Sequence, residues 1–168
     1  MLSDKINEIL NEQIKKEGYS SNLYLAMASW AEVNGFEGTS NWLYAQADEE
    51  RAHMMKILKY VNERGGRAVI PSMDNPPKDF TNVKEMFEAV LEHEVMISNS
   101  INEIVALCIT EKDYTTHNWI QWFVNEQIEE EANVKTILDK LNLAGAGSMY
   151  LFDRDIMGLR KTDTSANI

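Results

Sequence analysis

Residues 43–60 read LYAQADEERAHMMKILKY, an amphipathic helical repeat with ionisable side chains on its apolar face. Alternating steps of three and four residues follow that face through Leu43, Gln46, Glu50, His53, Ile57 and Tyr60. Glu50 and His53 therefore face the inside of a helical bundle, and their i,i+3 spacing lets them bind one ion together. The stretch predicts a bundle helix that carries part of a metal site.

Three further segments show the same repeat. Their inward-facing positions, called the seam below, are mainly apolar but are interrupted near the middle of each segment. The interruptions are Glu17 in the first segment, Glu94 in the third, and Gln127 and Glu130 in the fourth. Burying such glutamates unpaired would cost several kcal/mol each, which a domain with a net stability of about 5–15 kcal/mol cannot absorb. We therefore expect a cation among them.

These repeats predict an all-α fold, an antiparallel four-helix bundle with one long crossover between the second and third helices and a short C-terminal fifth helix. All three prolines of the chain lie in that crossover, which is longer than the roughly 2–8 residues of ordinary bundle loops because it must return the chain to the far end. The chain is expected to form one domain, 1–168, with helices at about 4–33, 39–64, 82–110, 115–142 and 148–158, the crossover at 65–81 and a frayed tail at 161–168.

Residues that favour helix ends set these limits. The expected N-caps are Ser3 or Asp4, Thr39 or Ser40, Asn82 with Glu85, and Thr115 or Thr116. Gly65 and Gly66 are expected to end the second helix. The fifth helix is too short to be stable alone, so we expect it to pack either on its own bundle or on a neighbouring subunit.

Because the marked seam residues lie about 11–14 positions inside helices of similar length, they are expected to meet at one level. Oxygen-rich ligands with one imidazole favour iron or manganese. In this interpretation Glu50 bridges two ions, of which one is completed by Glu17 and His53 and the other by Glu94 and Glu130. Gln127 is neutral, which predicts a weaker second site, suited to metal that moves on.

Composition excludes several classes of partner. The 27 acidic and 16 basic residues give a formal charge of -11, which argues against nucleic acid and anionic membranes and favours divalent cations. The single cysteine, Cys108, lies on an apolar seam, where a buried thiol in a reducing compartment is the simplest interpretation. With neither a signal-like start nor an apolar run of about 20 residues, the chain is expected to be soluble and cytoplasmic.

Residues around the centre have competing interpretations. Tyr24 lies two turns from Glu17, where it is either beside the metals or a core tyrosine with a satisfied hydroxyl. Trp122 is interpreted as a packing residue, and His93, beside the seam, as a surface histidine. Glu49, Glu126 and Glu129 lie one step off the seam, and they are either solvated charges or a third, weaker cation site.

Together these residues resemble the non-haem bacterial ferritins. Glu17, the Glu49-Glu50-x-x-His53 run, Glu94 and the Glu126-Gln127-x-x-Glu130 run match that family's ferroxidase centre in residue type and spacing. The resemblance also includes Asn11-Glu12-Gln13, Tyr19-Ser20-Ser21, Phe36-Glu37-Gly38 and Asp139-Lys140-Leu141, and it spans roughly residues 3–158.

The resemblance implies a cage of 24 subunits that takes up Fe(II), oxidises it with dioxygen or hydrogen peroxide at the paired site and stores ferric mineral. It implies two irons per centre, a third iron site formed by Glu49, Glu126, Glu129 and Glu130, and a position beside the centre for Tyr24. Bacterioferritins differ, since they carry Glu-x-x-His on the fourth helix too and a haem-ligating methionine where this chain has Arg51. Haem is therefore not expected.

Two other functions remain open from the sequence. One is a di-iron oxidase or peroxidase that retains its metal, acts on a small organic substrate and stores no mineral. The other is a structural bundle in which buried carboxylates only set the helix register. The DNA-protecting mini-ferritins build their sites between subunits and lack this pattern within one chain.

Overall fold

The computed structural model describes residues 1–160, so the predicted tail at 161–168 lies outside the described residues. The described chain is helical and contains no strand. Its α-helices are α1 (Asp4–Val33), α2 (Glu37–Glu63), α3 (Val83–Glu111), α4 (Tyr114–Ala144) and α5 (Met149–Asp155), and short 3-10 turns at Ala146–Ser148 and Ile156–Leu159 flank α5. The predicted four-helix bundle with a crossover and a short fifth helix is confirmed.

The helices pack in pairs. α1 lies mainly against α2, α3 lies mainly against α4, and α1 also contacts α3. A tight turn joins α1 to α2 through Gly35, whose φ of 82° is a conformation that glycine adopts without strain. The second helix ends in the same way, with Gly65 at a φ of 79° just after the C-cap Arg64, as the glycine pair predicted.

The apolar core consists of two clusters. One consists of buried apolar side chains that lie within 23–31 of α1, 42–47 of α2, 83–90 of α3 and 134–141 of α4. The other consists of buried apolar side chains that lie within 6–14, 54–61, 97–108 and 120–123 of the same helices. Between them lies a layer of buried polar side chains to which all four helices contribute. This polar layer consists of Gln13, Glu17, Gln46, Glu50, His53, Glu94, Gln127 and Glu130.

The crossover follows the side of α1. The side chain of Asn11 donates to the carbonyl of Arg67 at 3.0 Å and accepts from the Val69 N–H at 2.7 Å. Farther along α1, Asn22 contacts the sulfur of Met73. Because these contacts advance along α1 as the chain advances from Arg67 to Met73, the segment returns the chain toward the start of α3.

The short helix α5 packs on its own bundle. Phe152 and Ile156 are buried in the first apolar cluster. The carboxylate of Asp153 accepts from the backbone N–H groups of Gly38 and Thr39, at 2.9 and 2.8 Å, and from the Thr39 hydroxyl at 2.7 Å. Of the two environments left open by the sequence, the described chain shows the intramolecular one.

Two of the predicted N-caps are confirmed and two are wrong. Ser3 caps α1, and Asn82 caps α3 by accepting from the Glu85 N–H at 2.9 Å. Neither Thr39 nor Ser40 caps α2, which begins at Glu37 and has its first N–H groups bound by the distant Asp153. Asp113, rather than a threonine, caps α4 through the Thr116 N–H at 3.0 Å.

Across residues 1–160, no helix has both the length and the apolar character needed to span a membrane.

Candidate metal centre

The polar layer contains the six seam residues that were predicted from the sequence to form the metal site. Glu17 lies on α1, Glu94 lies on α3, and each is 1% exposed. Glu50 and His53 on α2, together with Gln127 and Glu130 on α4, are also buried. Each falls in the gap between the two apolar clusters, so the four helices present their polar residues at one depth.

Glu17, Glu50 and His53 form the tightest group. One potential ligand atom from each lies within 4.8 Å of the others. The Nδ1 atom of His53 is 3.6 Å from Glu50 Oε2 and 3.9 Å from Glu17 Oε2, too far for a hydrogen bond. Among the described residues, Glu17 Oε2 and His53 Nδ1 are both buried and have no hydrogen-bond partner. Unsatisfied buried donors and acceptors are costly, and a divalent cation that accepts oxygen and imidazole ligands would satisfy both.

The other oxygen of Glu17 is held in place. Gln13, one turn earlier on α1, donates its amide N–H to Glu17 Oε1 at 2.7 Å. The hydroxyl of Ser100 on α3 in turn donates to Gln13 Oε1. The chain from Ser100 through Gln13 therefore orients the Glu17 carboxylate so that its free oxygen faces His53.

Glu94 is held by two donors on neighbouring helices. The Tyr24 hydroxyl donates to Glu94 Oε1, and the Gln127 amide donates to Glu94 Oε2 at 3.0 Å and to the Glu94 carbonyl at 3.2 Å. Tyr24 therefore lies beside the candidate centre and is also a buried tyrosine with a satisfied hydroxyl. Both interpretations that the sequence left open describe it. Gln127 contacts Glu94 through its donor nitrogen in this arrangement.

Glu130 and Glu50 share a partner, Gln46, that was not among the predicted site residues. The amide nitrogen of Gln46 donates to Glu130 Oε2 at 2.8 Å and is 3.4 Å from Glu50 Oε1. Gln46 lies one turn before Glu50, just as Gln13 lies one turn before Glu17. A glutamine four residues ahead of a seam glutamate was the signal available in the sequence.

Burial changes the acid–base behaviour of these carboxyls. Desolvation raises the pKa of Glu17, Glu50, Glu94 and Glu130 above the usual range, because the charged form loses hydration. The Glu50 charge raises the pKa of Glu17 further, and the Glu94 charge does the same for Glu50 and Glu130. None of the lysines and arginines in residues 1–160 is buried, so no basic side chain within this range compensates the layer from inside.

A second group of potential ligands, called the outer group below because Glu49 is partly exposed, also includes His53. Potential ligand atoms of Glu49, His53 and Glu126 lie within 4.8 Å of one another. The third site implied by the family resemblance consists of Glu49, Glu126, Glu129 and Glu130, whereas this group contains His53 and the side chain of Glu129 is exposed. Glu49 also pairs with Arg160, a residue that the sequence analysis did not single out.

Two neighbouring rings complete the surroundings. His93, predicted at the surface, is only partly exposed. It lies against the rings of Tyr19 and Tyr24, hydrogen-bonds Ser20 at 2.7 Å, and has its pKa lowered to about 4 by burial. Trp122 packs edge-on against His53 with 5.3 Å between ring centroids. Both rings border the polar layer. Because His93 and Trp122 are not seam positions, the seam pattern did not predict their contact with the layer.

Comparison with known proteins gives consistent results. A family model described as a ferritin-like domain matches residues 7–144. A probable bacterial non-heme ferritin-like protein of Haemophilus influenzae is 44% identical over 95% of this chain and 98% of the relative, and a bacterial non-heme ferritin of Campylobacter jejuni is 41% identical over 95% and 96%. An open pore ferritin from Archaeoglobus fulgidus superposes with a TM-score of 0.91 at 41% identity, covering 95% of this chain and 98% of the other.

Proposed function

Because this chain belongs to the ferritin family, we propose that it stores iron and that it oxidises Fe(II) at the four buried glutamates and His53 of the polar layer. The observation that carries the proposal is the group of four buried glutamates, in which one Glu17 oxygen and one His53 nitrogen find no hydrogen-bond partner within residues 1–160. Such a group is unfavourable without a cation, and its donor atoms suit iron.

In the proposed centre Glu17 and His53 hold one Fe(II), Glu94 and Glu130 hold the other, and Glu50 bridges both. Each Fe(II) gives up one electron, and two electrons with two protons convert dioxygen to hydrogen peroxide or hydrogen peroxide to two waters. Gln13, Gln46 and Tyr24 would orient the carboxylates so that little reorganisation is needed when the ions bind.

The asymmetry of the centre supports turnover rather than permanent retention. The second ion has a neutral amide, Gln127, where the first has His53, and this amide already donates to Glu94. If Gln127 binds the second ion through its amide oxygen, it is a weak neutral ligand, and if the ion instead takes Glu94 Oε2, the hydrogen bond from Gln127 is lost. In either case the second ion is held less tightly than the first. A retained-metal oxidase or peroxidase is the alternative, and it predicts two tight sites.

We further propose that the subunits form a cage of 24, as the family resemblance implies. Large apolar side chains are exposed on the described subunit, among them Val33, Ile70, Leu143 and Tyr150. Burial of such side chains between subunits would be favourable. Location in the cytoplasm also stays a prediction, with which the free and buried thiol of Cys108 agrees.

Iron loading tests the function. Excess Fe(II) is added aerobically to the metal-free protein, and retained iron per chain is measured together with particle size. Storage predicts far more than three irons per chain in a large shell, a retained-metal oxidase predicts about two, and a structural bundle predicts none. Either of the last two results would contradict the proposal.

A substitution tests the site. Glu50→Ala removes the bridging carboxylate, and we expect the initial rate of Fe(II) oxidation to fall by about 100-fold or more, since both ions lose a ligand. The matched control is Glu63→Ala, which removes an exposed glutamate from the end of the same helix and should oxidise iron at the parent rate. If Glu50→Ala is as fast as the parent, the ligand assignment is wrong.

A further inference from the structure

Arg160 reaches the edge of the candidate centre from the end of the described chain. Its guanidinium donates from Nη1 to Gln46 Oε1 at 2.9 Å and from Nη2 to Glu49 Oε2. It also lies over the ring of Trp42, with Cζ 5.7 Å from the centroid. The arginine side chain is only 15% exposed, so these contacts are more sheltered than an ordinary surface ion pair.

The position of Arg160 is fixed by the segment before it. Residues 146–160, called the C-terminal arm below, are anchored by the burial of Phe152 and Ile156 and by the bonds of Asp153 to the start of α2. Ile156 lies only four residues before Arg160. The guanidinium is therefore tethered close to α2, which favours its pairing with Glu49 over that of a free cation at low concentration.

The contact with Gln46 links the arm to the carboxylates inside the layer. Because Arg160 binds the amide oxygen of Gln46, the amide nitrogen must point the other way, toward Glu130 and Glu50. The orientation of this amide follows from its partners, since a carboxylate can only accept and a guanidinium can only donate.

The contact with Glu49 concerns the outer group of potential ligands. Glu49 shares that group with His53 and Glu126, and the guanidinium occupies Oε2 of its carboxylate. A metal ion drawn to the group needs the same negative charge. It must therefore displace Arg160 or accept a weakened ligand.

We propose that Arg160 is a tethered cation that competes with metal for Glu49 and thereby weakens ion binding at the Glu49, His53 and Glu126 group. The inference rests on the proposed function, because it concerns the same iron-handling region. In the metal-free protein the arm compensates part of the acidic charge. When an ion takes Glu49, the guanidinium leaves and Gln46 is released from its fixed orientation.

Removal of the competitor should tighten binding at the outer group. We expect Arg160→Ala to bind the outer ion about 3- to 10-fold more tightly than the parent, since a partly sheltered arginine–carboxylate pair no longer has to be broken. Arg160→Lys keeps the charge but cannot contact Gln46 and Glu49 with two separate nitrogens. Its affinity for the outer ion should lie between those of the parent and Arg160→Ala.

The experiment is isothermal titration of the metal-free full chain with Zn²⁺, which binds oxygen and imidazole ligands without redox chemistry. The matched control is Arg154→Ala, which removes the same charge from the same arm, but from an exposed arginine that pairs with its neighbour Asp155 on the surface. It should bind Zn²⁺ as the parent does. In a Glu49→Ala background, Arg160→Ala should no longer change the affinity, because the contested carboxylate is absent.

The outcomes separate the two proposals. If the parent binds ions in the polar layer but Arg160→Ala shows the same outer-site affinity, or a lower one, the competition is wrong and the iron function stands. An equal gain in Arg154→Ala also contradicts it, since general charge would then be the cause. If neither the parent nor Arg160→Ala binds any Zn²⁺, the proposed function fails and the competition fails with it.

Discussion

Glu17 is the carboxylate in which the conflict between stability and binding is clearest. One oxygen accepts from Gln13, while the other is buried with no hydrogen-bond partner in the part of the chain that the structure describes. Burial and the nearby Glu50 both raise the pKa of Glu17, so the metal-free protein keeps an acid in a place that disfavours its charge. A residue held in this way lowers stability in exchange for a ready ligand.

Glu17→Gln should separate these two effects. The amide keeps an oxygen for Gln13 and removes the acid, so we expect the metal-free protein to gain about 0.5–2 kcal/mol in its free energy of unfolding, while Zn²⁺ affinity at the inner site falls at least about tenfold. Urea denaturation with a chelator and metal titration measure the two changes. The control is Glu12→Gln, an exposed position on α1 that should change neither. If Glu17→Gln instead lowers the free energy of unfolding, the buried carboxyl group of Glu17 does not destabilise the metal-free protein, and the prediction is wrong.

Cys108 is expected to be unreactive. It is fully buried in the second apolar cluster, and burial raises the pKa of its thiol to about 11. At pH 8 about one thiol in a thousand is then ionised, against roughly a quarter for an ordinary cysteine of pKa about 8.5. Because the thiolate is the reactive form, a disulfide reagent should modify the folded protein at least about 100-fold more slowly than the protein in denaturant.

The pH dependence of this reaction follows from the same shift. The folded-state rate should rise about tenfold per pH unit and continue to rise up to about pH 11, whereas the rate in denaturant should level off near pH 9. Cys108→Ser supplies the background for both curves. Rapid modification of the folded protein at pH 8 would contradict the buried position.

The residues that the sequence revealed and those that it did not differ in a physical way. Glu17, Glu50, Glu94 and Glu130 interrupt apolar seams, and a buried carboxylate is conspicuous because it is unfavourable. His93 lies one residue off its seam, and its contacts with Ser20 and with two tyrosine rings of α1 depend on how the helices pack. Arg160 is an ordinary basic residue near the chain end, and nothing in its neighbours along the sequence indicates contact with Gln46 more than a hundred positions away.

At the scale of elements, the helices were predictable and some of their ends were not. A helix of about 30 residues repeats its pattern many times, so single exceptions do not hide it. An end depends on a few N–H groups that any nearby acceptor can satisfy. Ser3 and Asn82 cap locally and were found, whereas the acceptor for the start of α2 comes from Asp153 on α5, across a distance of 114 residues in sequence.

The docking of α5 depends on a missing side chain at Gly38. A Cβ atom there would lie 1.7 Å from the carbonyl oxygen of Asp153, far inside contact distance. Gly38→Ala should therefore push α5 away from α2, break the bonds from Asp153, and lower the free energy of unfolding by about 1–3 kcal/mol. Urea denaturation measures the loss, and hydrogen exchange should show faster exchange in α5.

Gly147→Ala is the matched control for this substitution. It lies just before α5, and apart from its chain neighbours no atom of residues 1–160 would lie within 4 Å of a Cβ atom at this position. The variant should unfold as the parent does. If Gly38→Ala is equally harmless, α5 does not pack on the start of α2 in solution, and its alternative environment on a neighbouring subunit becomes the better interpretation.

At the scale of the molecule, the polar layer divides the hydrophobic core into two halves. Each half holds side chains from α1, α2, α3 and α4, and the ligand candidates between them also come from all four helices. Metal bound by Glu17, Glu50, His53, Glu94 and Glu130 would therefore link every helix of the bundle at mid-height. Its effect on stability should reach the whole fold rather than one element.

Metal should therefore raise the global stability of the protein. An ion at 100 times its dissociation constant adds about 2.7 kcal/mol, which for a domain of this size corresponds to about 5–11 °C in Tm. Thermal unfolding followed by circular dichroism, with a chelator or with anaerobic Fe(II), measures the shift. Glu63→Ala should retain it and Glu50→Ala should lose most of it.

Hydrogen exchange distinguishes a global effect from a local one. If ions join all four helices, amides in both apolar clusters slow by the same factor on binding, because both exchange through the same global opening. An ion held only by Glu50 and His53 of α2 and one neighbouring helix would protect those helices and leave α3 and α4 unchanged. Protection limited to one helix pair would contradict a shared centre, whereas equal protection of Ile14, Ile57, Ile101 and Ile137 would support it.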